Sequence, residues 1–195
     1  MTIRPIIFSA LMVRALLDGR KTQTRRIVKW LDGDLEPKAG YSVGDRLWVR
    51  ETWAHDAPAL ETCRVAFEDA YPGGITYGPY YRATETAPDT LRWRSPIHMP
   101  RWASRLTLTV TAVRVERLQD ISEDDARAEG IALSIDRDPI GPCKWASAID
   151  KTKGWSSARA AYNELWNYLH GPEAWAQNPW VTAISFTVEK KNIDV

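Results

Sequence analysis

A lysine and a threonine three residues apart, Lys21 and Thr24, are well suited to nucleophilic chemistry. A hydroxyl is a weak nucleophile until a base takes its proton, and an amine can be that base once burial or nearby cations lower its pKa. Arg20, Arg25 and Arg26 supply such cations. One helical turn or a tight loop would bring the amine and the hydroxyl into one site. The same run can also be a basic turn that contacts phosphate or is simply solvated, and the residues alone favour that interpretation.

Other catalytic signatures are absent from the sequence. It contains no GxSxG, P-loop or GxGxxG motif. Carboxylates are available at Asp45, Glu51 and Glu129, but their spacing cannot pair them, and Glu51 is best explained as the partner of a salt bridge.

Metal and disulfide chemistry are not predicted either. The three histidines, His55, His98 and His170, lie far apart, and Cys63 and Cys143 have no CxxC partner. We therefore expect no metal and no cofactor. No run approaches the roughly 18 apolar residues of a membrane span, and no signal peptide is recognisable, so we expect a cytoplasmic protein.

The charges are unevenly distributed along a chain with a net charge of only +1. Residues 1–30 carry seven Lys and Arg against one Asp, whereas residues 116–129 carry six acids against two Arg. The basic segment indicates an anionic partner such as nucleic acid. The alternative is a surface on which the opposite charges offset each other.

Tryptophan is enriched, with ten residues in 195 against three Phe. Because a buried indole N–H needs a partner, this bias indicates that some rings serve as recognition surfaces. Trp48, Trp53 and Trp102 are the candidates for stacking on a base. Trp166 and Trp180 are expected in the core.

These residues need a scaffold, and the pattern predicts one α+β domain over residues 1–195, most economically a small closed β-barrel flanked by about three helices. Residues 19–26 are expected to form a turn and residues 132–154 an inserted loop. The predicted helices begin after Ser9, after Ser122 and after Ser156 or Ser157. The predicted strands are 4–8, 46–54, 64–67, 77–83, 106–115 and 180–188.

Five segments together resemble an ASCH domain of the PUA-like superfamily. They are PIIF at 5–8, LLDGRKTQTRR at 16–26, GDRLWVRETW at 44–53, ISEDDARAEGI at 121–131 and NPWV at 178–181. The segment PIHMPRWASR at 96–105 is similar to the longer form common in phages and prophages. The resemblance implies a β-barrel whose cleft is flanked by helices, related to domains that bind RNA or modified bases.

One bacterial branch of that family removes the acetyl group from acetylcytidine with a Lys, a Thr and a Glu, which the resemblance places on Lys21, Thr24 and Glu129. Thr24 would be the nucleophile or would position water. Lys21 would be the base or the oxyanion partner, and Glu129 would carry the proton.

Two other functions remain open. One is a non-catalytic module that holds RNA, DNA or a modified nucleoside between Trp rings, with phosphates on Arg20, Arg25, Arg26 and Arg50. The other is a ribonuclease in which Lys21 and Arg25 contact phosphate.

Overall fold

The computed structural model describes residues 1–28, 37–55, 79–86, 91–132, 145–146 and 154–195, which form a mixed α+β fold. The strands are β1 (Ile3–Ile7), β2 (Gln23–Ile27), β3 (Arg46–Arg50), β4 (Trp53–Ala54), β5 (Tyr80–Tyr81), β6 (Thr107–Arg117), β7 (Trp145–Ala146), β8 (Gly154–Trp155) and β9 (Trp180–Glu189). The α-helices are α1 (Ala10–Leu17), α2 (Glu123–Ala128) and α3 (Ala158–His170). Short 3₁₀ turns occupy Pro96–His98, Arg101–Ala103 and Leu118–Asp120.

Five strands form one sheet in the order β1-β3-β6-β9-β2, and two-stranded ladders join β4 to β5 and β7 to β8. β1 runs parallel to β3, and the other neighbours in the sheet are antiparallel. The long strands β6 and β9 form the centre of the sheet, with a register shift between Val110 and Ala112. Such an irregularity bends the strand locally and increases its twist.

The sequence predicts a closed barrel, but the described strands form an open ladder with β1 and β2 at its edges. Pro5 lies within β1 and has no N–H to donate, which suits a strand to an edge position. The edges nevertheless approach each other at one end. The Arg26 side chain on β2 donates to the Ile7 carbonyl at the end of β1 over 2.8 Å and lies 5.0 Å from the Phe8 ring.

The three predicted α-helices are confirmed. Ser122 and Ser157 accept hydrogen bonds through Oγ from the backbone N–H groups of Asp125 and Ala160, as N-cap residues should. Ser9 occupies the N-cap position of α1 without a side-chain bond. Helices α2 and α3 pack together over a second apolar cluster that contains Trp166, distinct from the cluster formed by β1, β3, β6, β9 and α1.

Two local predictions are wrong. Residues 19–26 do not form only a turn, because β2 begins at Gln23 and pairs with β9. The polar run QTRR shows no apolar alternation, so its strand conformation depends on the partner strand. The predicted strand 46–54 is divided, since β3 ends at Arg50 and β4 pairs with β5 instead.

The strands predicted at 106–115 and 180–188 are confirmed as β6 and β9. The strand predicted at 64–67 and most of the insertion predicted at 132–154 lie outside the described residues. The organisation as one domain stays a prediction. In the described part of the chain, no helix combines the length and the apolar character needed to cross a membrane.

Candidate functional site

Lys21 and Glu129 meet inside the protein. Lys21 Nζ lies 2.6 Å from Glu129 Oε2, and it also donates to the carbonyl oxygens of Gln23 at 2.8 Å and Glu129 at 3.1 Å. These three acceptors match the three hydrogens of an ammonium group. Lys21 is 0% exposed and Glu129 is 3% exposed. The contact is therefore a desolvated acid–base pair.

The pair is positioned by the ends of two helices. After α1, the backbone N–H groups of Arg20 and Lys21 both donate to the Ala15 carbonyl. After α2, Glu129 is the C-cap residue and Gly130 has a φ of 98°. A Cβ at Gly130 would lie 3.0 Å from the Ala15 Cβ and 3.3 Å from the Lys21 Cβ. The absence of a side chain there lets the two helix ends come together.

Burial is the dominant influence on the Lys21 amine. Desolvation lowers the pKa of Lys21, and the Arg26 and Arg25 charges lower it further. The charge and the hydrogen bond of Glu129 act in the opposite direction, but the net shift is downward. A lysine whose pKa is lowered can exchange a proton with its surroundings more readily than an exposed lysine.

The second oxygen of Glu129 is held by two other donors. Oε1 lies 3.3 Å from Arg25 Nη1 and 3.3 Å from the Tyr162 hydroxyl. Tyr162 comes from α3 and is buried, which raises the pKa of its hydroxyl well above the usual value. Sequence reasoning missed Tyr162. The available signal was a tyrosine on the apolar side of a predicted helix, since a buried phenol needs a hydrogen-bond partner.

Arg25 joins the basic and the acidic segments of the chain. Its Nη2 lies 2.6 Å from Glu116 and 3.1 Å from Asp125, in addition to the contact of Nη1 with Glu129. Arg114 also pairs with Asp125 at 2.7 Å. Much of the positive charge near Lys21 is thus neutralised by the acids of residues 116–129. Here the structure agrees with the alternative in which the two charged segments offset each other.

Thr24 is linked to the Lys21–Glu129 pair only through the peptide group that precedes it. It lies on β2, is 1% exposed, and is paired with Ile184 of β9. The Gln23 carbonyl that accepts from Lys21 belongs to the peptide group linking Gln23 to Thr24. By strand alternation, the Thr24 side chain points to the face of β2 opposite that of Gln23 and Arg25, which is the face it shares with Arg26. Among the described residues no hydrogen bond joins the Thr24 hydroxyl to Lys21 or Glu129, so the structure pairs Lys21 with Glu129 and leaves Thr24 beside them.

The other predicted arginines have different environments. Arg20 pairs with Asp18 at 2.7 Å and donates to the Gly130 carbonyl. Arg26 donates to backbone carbonyls and covers the Phe8 ring, whereas Arg50 lies 4.5 Å from the Trp48 ring. Among the described residues, neither Arg26 nor Arg50 pairs with a carboxylate.

The predicted stacking residues are largely covered. Trp48 is 6% exposed and lies under the Arg50 guanidinium. Trp53 is completely buried in an apolar cluster with Met99 and Ala103, so it presents no ring face to a ligand. Trp102 is half-buried and lies edge-on to Trp53 with 6.1 Å between ring centroids. The aromatic rings beside the Lys21–Glu129 pair are those of Phe8 and Tyr162 instead.

The core tryptophan predictions have separate outcomes. Trp166 is buried as predicted. Trp180 is only half-buried, and the Arg117 guanidinium lies 4.4 Å from its ring.

Glu51 is a salt-bridge partner, as predicted. It is buried, and its two carboxylate oxygens accept from Nε and Nη2 of Arg105 at 2.9 and 3.0 Å. No group of three or more His, Cys, Asp or Glu residues within the described ranges is arranged to hold a metal ion.

Comparison with known proteins gives one similar structure. No protein-family model matches the chain, and no curated protein matches it. The similar structure is that of an ASCH domain from Lactobacillus crispatus JV V101, with 12% sequence identity and a TM-score of 0.39 over 96% of this chain and 79% of that chain. The phage-type form and the relation to acetylcytidine enzymes stay predictions.

Proposed function

We propose that this protein is a hydrolase that removes the acyl group from an N-acylated cytidine or a similar modified nucleoside, using Lys21, Thr24 and Glu129. The observation that carries the proposal is the 2.6 Å contact between Lys21 Nζ and Glu129 Oε2 in the protein interior. The motif resemblance assigns these two residues, 108 positions apart in the chain, to one site.

The burial of this pair favours a chemical role over a purely stabilising one. Taking two charges out of water costs several kcal/mol per ion, so a buried ion pair adds little net stability compared with apolar packing. The same desolvation lowers the pKa of Lys21 and prepares the amine to accept a proton. The arrangement therefore suits general acid–base catalysis.

The reaction begins when the proton shared by the pair moves from Lys21 Nζ to Glu129 Oε2, which leaves Lys21 as a neutral amine. Once the substrate has displaced Arg26 from the face of β2 that Arg26 shares with Thr24, Thr24 Oγ1 attacks the acyl carbonyl carbon, and its proton passes to the Lys21 amine as the new C–O bond forms. The C–N bond to the nucleobase breaks, and the leaving amine takes a proton from the Glu129 carboxyl group. The pair again holds one proton between its members, now on Lys21.

Water completes the cycle. It attacks the acyl-threonine ester, the bond from the acyl carbon to Thr24 Oγ1 breaks, and Oγ1 recovers a proton from the water. The products are the free carboxylic acid and the amine of the unmodified base. No cofactor enters this sequence of steps.

The charge distribution favours a small ligand over a nucleic-acid strand. Arg20, Lys21 and Arg25 pair with carboxylates of the same chain, which reduces their attraction for a row of phosphates. Arg26 is the cation beside the pair without a carboxylate partner among the described residues, and it lies against the same Phe8 ring as Lys21. Because Lys21, Thr24 and Glu129 are all buried, a substrate must displace a covering group such as the half-buried Arg26 side chain.

The proposal is tested by incubating the purified full chain with acetylcytidine and following cytidine and acetate by chromatography. We expect turnover by the wild type and a loss of at least about 100-fold in Lys21→Ala and in Thr24→Ala, the scale of a general acid–base contribution. The matched control is Lys190→Ala, which removes an exposed lysine at the end of the chain and should retain the wild-type rate.

Two results would contradict the hydrolase. Salt-sensitive oligonucleotide binding without turnover would instead identify a non-catalytic binding module, because phosphate contacts release counterions. RNA cleavage that persists through purification and disappears in Lys21→Ala would identify a ribonuclease.

A further inference from the structure

We propose that Tyr162 is a positioning residue of this site, which holds the Glu129 carboxylate in the orientation that lets Oε2 meet Lys21. The inference rests on the proposed function. It follows from the 3.3 Å contact between the Tyr162 hydroxyl and Glu129 Oε1. The sequence motifs assign no role to this tyrosine.

The two oxygens of Glu129 have different partners. Oε2 is bound by Lys21, whereas Oε1 is bound by Arg25 and Tyr162. Rotation of the carboxylate about its last side-chain bond would break both sets of contacts at once. A donor on Oε1 therefore restrains Oε2 as well.

Tyr162 is itself firmly held. It lies in the first half of α3, is 3% exposed, and packs in the apolar cluster between α2 and α3. Its ring centroid lies 6.2 Å from that of Trp166 and 6.3 Å from that of Trp175, the second in an edge-to-face arrangement. Rigid aromatic packing of this kind fixes the position of the hydroxyl.

Arg25 cannot replace this restraint. Its guanidinium is shared among Glu116, Asp125 and Glu129, and the contacts with the first two carboxylates are the shorter ones. The Tyr162 hydroxyl donates its single proton to Glu129 and to no second carboxylate in the described part of the chain. The phenol is thus the donor dedicated to Oε1.

The kinetic experiment compares Tyr162→Phe with Tyr168→Phe on the same helix, where Tyr168 is 63% exposed. We expect Tyr162→Phe to lower kcat about tenfold with KM within about twofold, since one hydrogen bond to a charged group is lost and the ring packing is kept. Tyr168→Phe should behave like the wild type. An unchanged kcat in Tyr162→Phe would overturn the proposal.

A second variant separates positioning from general damage to the fold. Incorporation of 3-fluorotyrosine at position 162 keeps a hydroxyl donor in place, so we expect kcat within about twofold of the wild type, as rescue by a conservative replacement requires. If this protein loses as much kcat as Tyr162→Phe, the hydroxyl is not the group that matters and the proposal fails.

A spectroscopic readout keeps the test independent of turnover. In protein with 3-fluorotyrosine at position 162, Glu129→Gln should displace the ¹⁹F resonance, because the hydrogen-bond acceptor changes from a carboxylate to an amide. The same change should leave the resonance of 3-fluorotyrosine at position 168 in place. If the wild type hydrolyses nothing, the proposed function fails alone, and an undisplaced resonance at position 162 would overturn the positioning role as well.

Discussion

Two buried glutamates, Glu129 and Glu51, are bound in different ways. Glu51 is 1% exposed, and both its oxygens are occupied by the guanidinium of one residue, Arg105. Glu129 is 3% exposed, and its oxygens are divided among Lys21, Arg25 and Tyr162. Glu51 thus forms a bidentate salt bridge with one arginine, whereas Glu129 is bound by three residues that lie in different parts of the chain.

The comparison shows that the chemical role open to a buried carboxylate depends on whether its partner can release a proton. Arginine stays charged at all accessible pH values and matches a carboxylate geometrically, so the Glu51–Arg105 salt bridge is suited to structure. A desolvated lysine can lose its proton. Burial raises the pKa of Glu51 despite Arg105, and burial lowers the pKa of Lys21 despite Glu129.

The largest expected effect is on stability. Glu129→Ala leaves Lys21 and Arg25 buried without their shared carboxylate and should lower the free energy of unfolding by about 3–5 kcal/mol. Glu51→Ala should cost only about 1–3 kcal/mol, because the Arg105 side chain is 23% exposed and can turn toward water. Urea denaturation of both variants measures the difference. If Glu51→Ala loses as much unfolding free energy as Glu129→Ala, or more, the two glutamates do not differ in the way proposed.

A smaller effect is expected from crowding the helix ends beside the Lys21–Glu129 pair. Gly130→Ala places a Cβ 3.0 Å from the Ala15 Cβ, at a positive φ, and should lower the free energy of unfolding by about 1–3 kcal/mol more than its control. The control is Gly171→Ala, where φ is 103° and no atom lies within 4 Å of the added Cβ, so only backbone strain is introduced. Thermal unfolding at one pH measures both. If both variants lose the same unfolding free energy, the ends of α1 and α2 can move apart to accommodate the added Cβ.

The smallest expected effect is a pair of opposite pH dependences. The pKa of Lys21 is lowered on folding, so its contribution to stability is present above the ordinary value of 10.5 and is lost as the pH falls toward the folded value. The pKa of Glu51 is raised, so its contribution is present below 4.5 and is lost as the pH rises through the folded value. A tenfold difference in proton affinity between the folded and unfolded states corresponds to about 1.4 kcal/mol.

The two slopes are measured as differences from matched variants. Relative to Lys21→Met, the unfolding free energy of the wild type should rise as the pH increases toward 10.5. Relative to Glu51→Gln, it should fall as the pH increases above about 4.5. If the plots of unfolding free energy against pH for the wild type and one of the variants are parallel, the pKa shift proposed for that residue is contradicted.

The sequence predicts the local elements better than their assembly. Ser122 and Ser157 mark the starts of α2 and α3, because a cap acts on N–H groups two or three residues away. The alternation in β6 is similarly local. In contrast, the run QTRR has no strand pattern of its own, and it becomes β2 only by pairing with β9.

The candidate site divides in the same way. Lys21, Thr24 and Glu129 are assigned by motif resemblance, but residue spacing alone does not pair a lysine with a glutamate 108 positions away. Tyr162 has no motif, and its role depends on where α3 packs. The stacking interpretation of Trp53 requires an exposed ring, and exposure is set by the neighbours that cover it.

By itself, the sequence determined the helix starts, the central strands, and the two segments of opposite charge. Those properties depend on side chains within a few residues of each other, or on composition alone. The tertiary structure decided that the charged segments neutralise each other through Arg25, and that Lys21 and Glu129 meet without water. Burial and pairing depend on which distant segments the sheet and helices bring together, and that information is not contained in any short stretch of the chain.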